Sequence, residues 1–178
     1  MNGKSGKLGV LVAMHGLPRS GKSTLSKQLS KDLHAPIVNK DNIRLALHGQ
    51  VYAKEAEPMV RAISKVMIHS LFLSGHDIVI ADETHYSRAA RDFVADGPWD
   101  TKFYEVPTLP EVCIQRAYDT GHNWLPTVIK DMAERHEPLQ EDEPRYLGNS
   151  SNPAHWSDYC SRNNYLCVPA GEELSNAY

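Results

Sequence analysis

Cysteine is scarce. Cys113, Cys160 and Cys167 are the only three in 178 residues, and no two of them form a C-x-x-C pair. This spacing argues against a disulfide framework or a thiolate zinc site, and buried thiols are the expected use. No pair of histidines stands four apart with a glutamate between them, so a zinc-protease motif is absent too. No run of eighteen apolar residues occurs, and Met1-Asn2-Gly3-Lys4-Ser5-Gly6-Lys7 has no apolar segment of the secretory kind. A soluble cytoplasmic protein with no membrane partner is therefore expected. Positive charge is not in excess: 19 Lys and Arg face 22 Asp and Glu, for a net charge of −3. That excludes a long nucleic-acid footprint held by a broad basic field, but leaves room for a short groove that handles a nucleic-acid substrate transiently.

One stretch is rich in information. Gly16-Leu17-Pro18-Arg19-Ser20-Gly21-Lys22-Ser23, followed by Thr24, spaces two glycines around four residues and ends in Lys-Ser. The apolar residues 8–14 precede it and a helical pattern follows, so the motif lies between a buried strand and a helix. That context marks a phosphate-binding loop. Its glycines let the backbone wrap a polyphosphate, Lys22 reaches the β- and γ-phosphates, and the Ser23 hydroxyl suits Mg²⁺. The expected cofactors are ATP and Mg²⁺, with residues 16–24 forming the nucleotide site.

The rest of the chain alternates strands and helices. Strands are expected at 8–15, 35–39, 76–82 and 101–106, with a candidate fifth at 164–168. Helices are expected from the loop to about 33, then over 40–49, 57–74, 87–94, 109–119 and 126–137. In the 57–74 helix Val60, Ile63, Met67, Leu71 and Phe72 form the core-facing stripe. Residues 137–144 read as a polar break. The fold class is α/β, a P-loop kinase-type parallel sheet of about five strands with helices on both faces and the site at the carboxyl ends of the strands. The expected organisation is a flexible 1–7, a kinase domain over 8–145 and an extension over 146–178 that adds a last strand.

Two further groups could carry chemistry. Asp82 ends a buried strand and is the natural carboxylate for Mg²⁺ or its water shell; Glu83 beside it points to the opposite face of an extended chain. Asp41 follows a strand at a helix N-terminus, with Arg44 one turn on; locally this reads either as a cap with a surface ion pair or as a catalytic pair. His15 is expected to pack at its strand end, and His48, His69 and His76 to lie at the surface or at helix ends.

The ordered set of Gly16 to Thr24, Asn39-Lys40-Asp41-Asn42-Ile43-Arg44, Ile78 to His85, Cys113-Ile114-Gln115-Arg116 and the Leu125-Pro126 helix with Met132 resembles the P-loop polynucleotide kinases, the phage-type 5′-hydroxyl kinases and their relatives. The resemblance covers roughly residues 8–139 and implies ATP-dependent phosphorylation of a nucleic-acid hydroxyl, in a host cytoplasm if the chain is phage-encoded. It makes Asp41 the general base, places Arg44 on the substrate phosphate and Arg116 on the transferred phosphate, and assigns Asp82, Glu83, Thr84 and His85 to the acceptor or metal. Three positions depart from the family pattern. His85 stands where asparagine is common, Arg19 where the loop often has glycine, and Thr120, with His122 nearby, where a second lid arginine belongs; Arg116 or Arg135 is left to supply that charge. A kinase of 5-hydroxymethyluracil in phage DNA, a small-molecule kinase and a non-catalytic nucleotide-binding module are the alternatives.

Overall fold

The computed structural model describes residues 6–50 and 54–146. Four strands form one fully parallel sheet in the order β2-β3-β1-β4: β1 is Val10–His15, β2 Ile37–Asn39, β3 Ile78–Asp82 and β4 Asp100–Glu105. The helices are α1 Lys22–Leu33, α2 Lys40–His48, α3 Glu57–Leu73, α4 Arg88–Ala95, α5 Pro110–Asp119 and α6 Leu125–Glu134. The described sheet thus has four strands where about five were expected. The candidate strand at 164–168 lies outside the described residues. A single parallel bridge between Phe103 and Arg145 extends the sheet beyond β4.

Strand β1 is buried on both sides, as a central parallel strand must be. Leu11 and Ala13 face a cluster with Val60, Ile68 and Phe72 of α3, while Val12 and Met14 face Leu25 and Leu29 of α1. A third cluster joins Leu17 of the loop to Cys113 and Ala117 of α5 and to Leu125 and Ile129 of α6. It ties the α5–α6 hairpin to the loop. Truncating a buried leucine such as Leu17 costs about 2–5 kcal/mol, so the attachment is firm.

Two expectations are corrected here. Met67 is 40% exposed, and the buried face of α3 is Val60, Ser64, Ile68 and Phe72, a strict four-residue step. Ser64 takes the central place because its hydroxyl donates to Glu83 Oε1 at 2.9 Å. Residues 137–144 are more than a polar break. Leu139 and Glu143 are buried there, and Phe103 N–H donates to Pro144 O, so the segment straps the edge of β4.

Candidate active site

The carboxyl ends of β1, β2 and β3 converge, since Asn39 pairs in register with Asp82 and β3 lies beside β1. The phosphate loop leaves β1 through Gly16, at φ 148°, where a Cβ would come within 2.8 Å of the Val106 carbonyl oxygen. Gly21, at φ 108°, starts α1. Both positions demand glycine, which explains the motif's spacing. Helix α1 has no side-chain cap and no acid in its first turn, so its N-terminus is open to an anion.

Lys22 is buried at 7% exposure, and its Nζ donates to Leu17 O at 2.6 Å. Burial pulls its ammonium down to about 8, opposed by the charges of Asp82 and Asp41 and by the neighbouring Cys113. The loop's outer carbonyls are also held: Arg116 Nη1 donates to Arg19 O and Ser20 O, each at 3.2 Å, and Thr108 Oγ1 donates to Ser20 O at 2.9 Å. Because the peptide is trans, engaging the Ser20 carbonyl from one side turns the Gly21 N–H to the other. The Ser20 hydroxyl is buried without a hydrogen-bond partner among the described residues.

Asn39 caps α2, accepting from Asn42 N–H at 3.0 Å, and its amide donates to Asp82 Oδ2 at 2.9 Å. That second bond fixes the orientation of a carboxylate only 8% exposed. Ser23 is exposed at the start of α1. A buried, oriented carboxylate and an open hydroxyl are oxygen donors of the kind Mg²⁺ prefers, so the residues present fit that ion.

Asp41 stands exposed in the first turn of α2, its Oδ1 2.5 Å from Arg44 Nη1. Arg44 also grips Glu57 with two bonds, Nε to Oε1 at 2.6 Å and Nη2 to Oε2 at 2.8 Å. These bonds hold the Glu57 carboxyl below the usual range. Glu57 is a member of the site that the sequence marks only as a helix start; an acid thirteen residues beyond Arg44, across a break, gives no local signal.

The other acceptor-side candidates separate. The Glu83 side chain is largely buried, ion-paired with Lys40 and 3.3 Å from His85 Nε2. Burial alone would raise its carboxyl, but His85 and Lys40 outweigh that and bring it down to about 2. His85 is 2% exposed, and its Nδ1 donates to Met14 O at 2.7 Å, so its ring faces the interior. His15 is fully buried; its Nδ1 donates to His85 O at 2.9 Å, and its Nε2 lies 3.1 Å from His136 Nε2. Thr84 offers its backbone carbonyl to Gly16 N–H. Arg135, at the C-terminal cap of α6, pairs with Asp131 one turn back. His48 is half-buried, His69 and His76 are exposed, and Cys113 is a buried thiol. Among the described residues no cluster of His, Cys, Asp and Glu could hold a metal by itself, and no helix is long and apolar enough to cross a membrane.

A family profile described as an AAA domain matches residues 11–139. The chain belongs to this AAA-domain family. Among solved structures it is similar to a gluconokinase from Sinorhizobium meliloti, at 18% identity over 76% of this chain and 79% of that one, with a TM-score of 0.56. It is also similar to the Mycobacterium tuberculosis APS kinase in complex with AMPPNP and APS, at 16% identity over 89% and 97%, TM-score 0.57. A chain of the Pnkp1/Rnl/Hen1 RNA repair complex aligns at 18% identity over 85% of this chain and 53% of that one, TM-score 0.58. At these identities the likeness is one of fold: this AAA-domain chain has the α/β fold of P-loop kinases.

Proposed function

We propose that this chain is an ATP- and Mg²⁺-dependent phosphotransferase that moves the γ-phosphate to a hydroxyl of a nucleic acid, foremost a 5′-hydroxyl end. The observation that carries this reading is the pairing of an open phosphate loop at the start of α1 with an exposed carboxylate, Asp41, in the first turn of α2, both helices leaving the same carboxyl end of the sheet. A module that only binds nucleotide has no use for such a base.

In this reading Asp41 accepts the proton of the acceptor hydroxyl as its oxygen attacks the γ-phosphorus, and the bond to the bridging oxygen of ADP breaks. Arg44, fixed by Glu57, holds the Asp41 carboxylate in one orientation. Lys22 and the loop amides offset the charge that spreads over the transferred group. Ser23 and Asp82 would hold Mg²⁺, which supplies further neutralisation of the β- and γ-phosphates.

Arg44 also supports a second reading. Two carboxylates already neutralise its guanidinium, so it is less available to an acceptor's phosphate than the family resemblance implies. A small neutral polyol or nucleoside acceptor would fit that arrangement. Transfer of labelled γ-phosphate decides among acceptors offered side by side: an oligonucleotide with a free 5′-hydroxyl, one with blocked ends and a hydroxymethylated base, and a set of sugars and nucleosides. Label on the free 5′ end supports the first reading, and label on sugars or nucleosides alone supports the second. Label on the blocked strand moves the acceptor to the base. No ADP release with any acceptor overturns the phosphotransferase reading.

A further inference from the structure

We propose that Arg19, on the phosphate loop itself, is the second guanidinium of the nucleotide site and takes the place of the lid arginine missing at Thr120, with His122 as its positioning residue. The inference rests on the reading of the loop as a nucleoside triphosphate site and adds to it the residue that recognises the terminal phosphate.

A transferred phosphoryl group needs cations beyond the loop lysine, and Arg44, Arg116 and Arg135 are otherwise engaged. Arg44 is held between Asp41 and Glu57, and Arg135 pairs with Asp131. Arg116 spends Nη1 on the carbonyls of Arg19 and Ser20, which makes it a support for the loop backbone.

Arg19 differs in its partner. Its guanidinium makes one hydrogen bond among the described residues, from Nη2 to His122 Nδ1 at 2.6 Å. The acceptor is a ring nitrogen that must be unprotonated to take that bond, so no carboxylate offsets the charge. Four N–H donors of a planar fork suited to phosphate oxygens are left over.

The anchor is rigid. The His122 backbone N–H donates to Ala117 O at 2.9 Å and Leu125 N–H to His122 O at 2.9 Å, so its main chain is fixed in a short hydrogen-bonded link between α5 and α6. Thr120 Oγ1 lies 3.1 Å from the same Nδ1. Thr120, which stands where the lid arginine is expected, and Arg19's guanidinium therefore meet at the same nitrogen of His122. Arg19 itself has φ 65°, a left-handed conformation that a non-glycine residue adopts at a cost. A loop that needed only the turn would be better served by glycine.

That conformation makes Arg19→Gly a clean test, because glycine relieves the backbone and should leave thermal stability equal or higher. Displacement of a fluorescent nucleotide in the presence of Mg²⁺ gives ATP and ADP affinities without any acceptor. Arg19→Gly should weaken ATP about ten- to hundredfold, the range for charged hydrogen bonds, and leave ADP nearly unchanged. Arg19→Lys should recover part of the loss. His122→Leu should lower the ATP-to-ADP preference by a smaller factor, and His122→Asn, whose side-chain oxygen can replace Nδ1, should restore it. An unchanged preference in Arg19→Gly overturns the role of Arg19 while the nucleotide site stands. Failure of the wild-type protein to bind ATP overturns the site and this inference together.

Discussion

Arg91 clasps both carboxylate oxygens of Glu143, Nε to Oε1 at 2.6 Å and Nη2 to Oε2 at 3.0 Å, with no part of the arginine exposed to solvent. Its other donors reach Glu137 O at 2.8 Å, Pro138 O at 3.2 Å and His85 O at 3.3 Å. One guanidinium thus fastens the 137–143 strap to the end of the β3 segment. Arg91→Ala leaves the buried Glu143 carboxylate without its countercharge, holding only the Gln140 N–H, and takes a donor from the Glu137 carbonyl, and should cost about 3–5 kcal/mol in urea denaturation. Arg91→Lys should recover little, since an ammonium cannot reproduce the fork. The Arg91→Met, Glu143→Leu double variant should recover most of the loss; if it does not, the ion pair is not the source.

For the proposed base, Asp41→Asn keeps size and a hydrogen-bonding oxygen but cannot take a proton. Turnover should fall about a hundredfold or more, the usual share of general-base catalysis, while ATP affinity stays close to wild type. A near-wild-type rate would remove Asp41 from that role.

Much of this arrangement is legible in the sequence because it obeys local rules. Gly16 and Gly21 are dictated by backbone conformation, Asn39 by capping, and the strand ends by apolar runs that stop at Asn39 and Asp82. The unread parts depend on distant partners. Arg91 has the pattern of a solvated helix face, and only Glu143, fifty-two positions away, makes it a core residue. Ser64 breaks the apolar stripe of α3, and the reason is Glu83 on a different element. The Met67 error follows from this: with a polar residue excluded from the stripe, the pattern slips by one position.

Lys22 links the site to pH. Burial lowers its folded-state pKa to about 8 from an ordinary 10.5, so in the nucleotide-free protein the ammonium is lost as pH rises through about 8. ATP affinity should therefore weaken from pH 7 towards 9.5, by isothermal titration, more steeply than an ordinary lysine would allow. The sign for stability is opposite: the unfolded chain binds the extra proton between about 8 and 10.5, so this group alone makes folding more favourable as pH rises there. In Lys22→Met the fall in affinity above pH 8 should vanish along with most of the binding. A flat wild-type profile from 7 to 9.5 would show that the lysine is not depressed.

Acid acts through a different pair. His15 is lowered to about 4 by burial, and His136 beside it is lowered as well. A histidine held neutral in the fold contributes stability that is complete above its unfolded value of about 6.5 and is lost as pH falls towards 4. Glu83, drawn down to about 2, is the ordinary carboxylate case, and its contribution disappears between about 4.5 and 2. The two windows barely overlap, so loss of stability between pH 6.5 and 4.5 belongs to the histidines. Melting temperature measured across that range should drop in the wild-type protein and flatten in His15→Gln, whose amide can still donate to the His85 carbonyl but does not titrate. If the slope persists in that variant and in His136→Gln, the imidazole pair is not what acid attacks first.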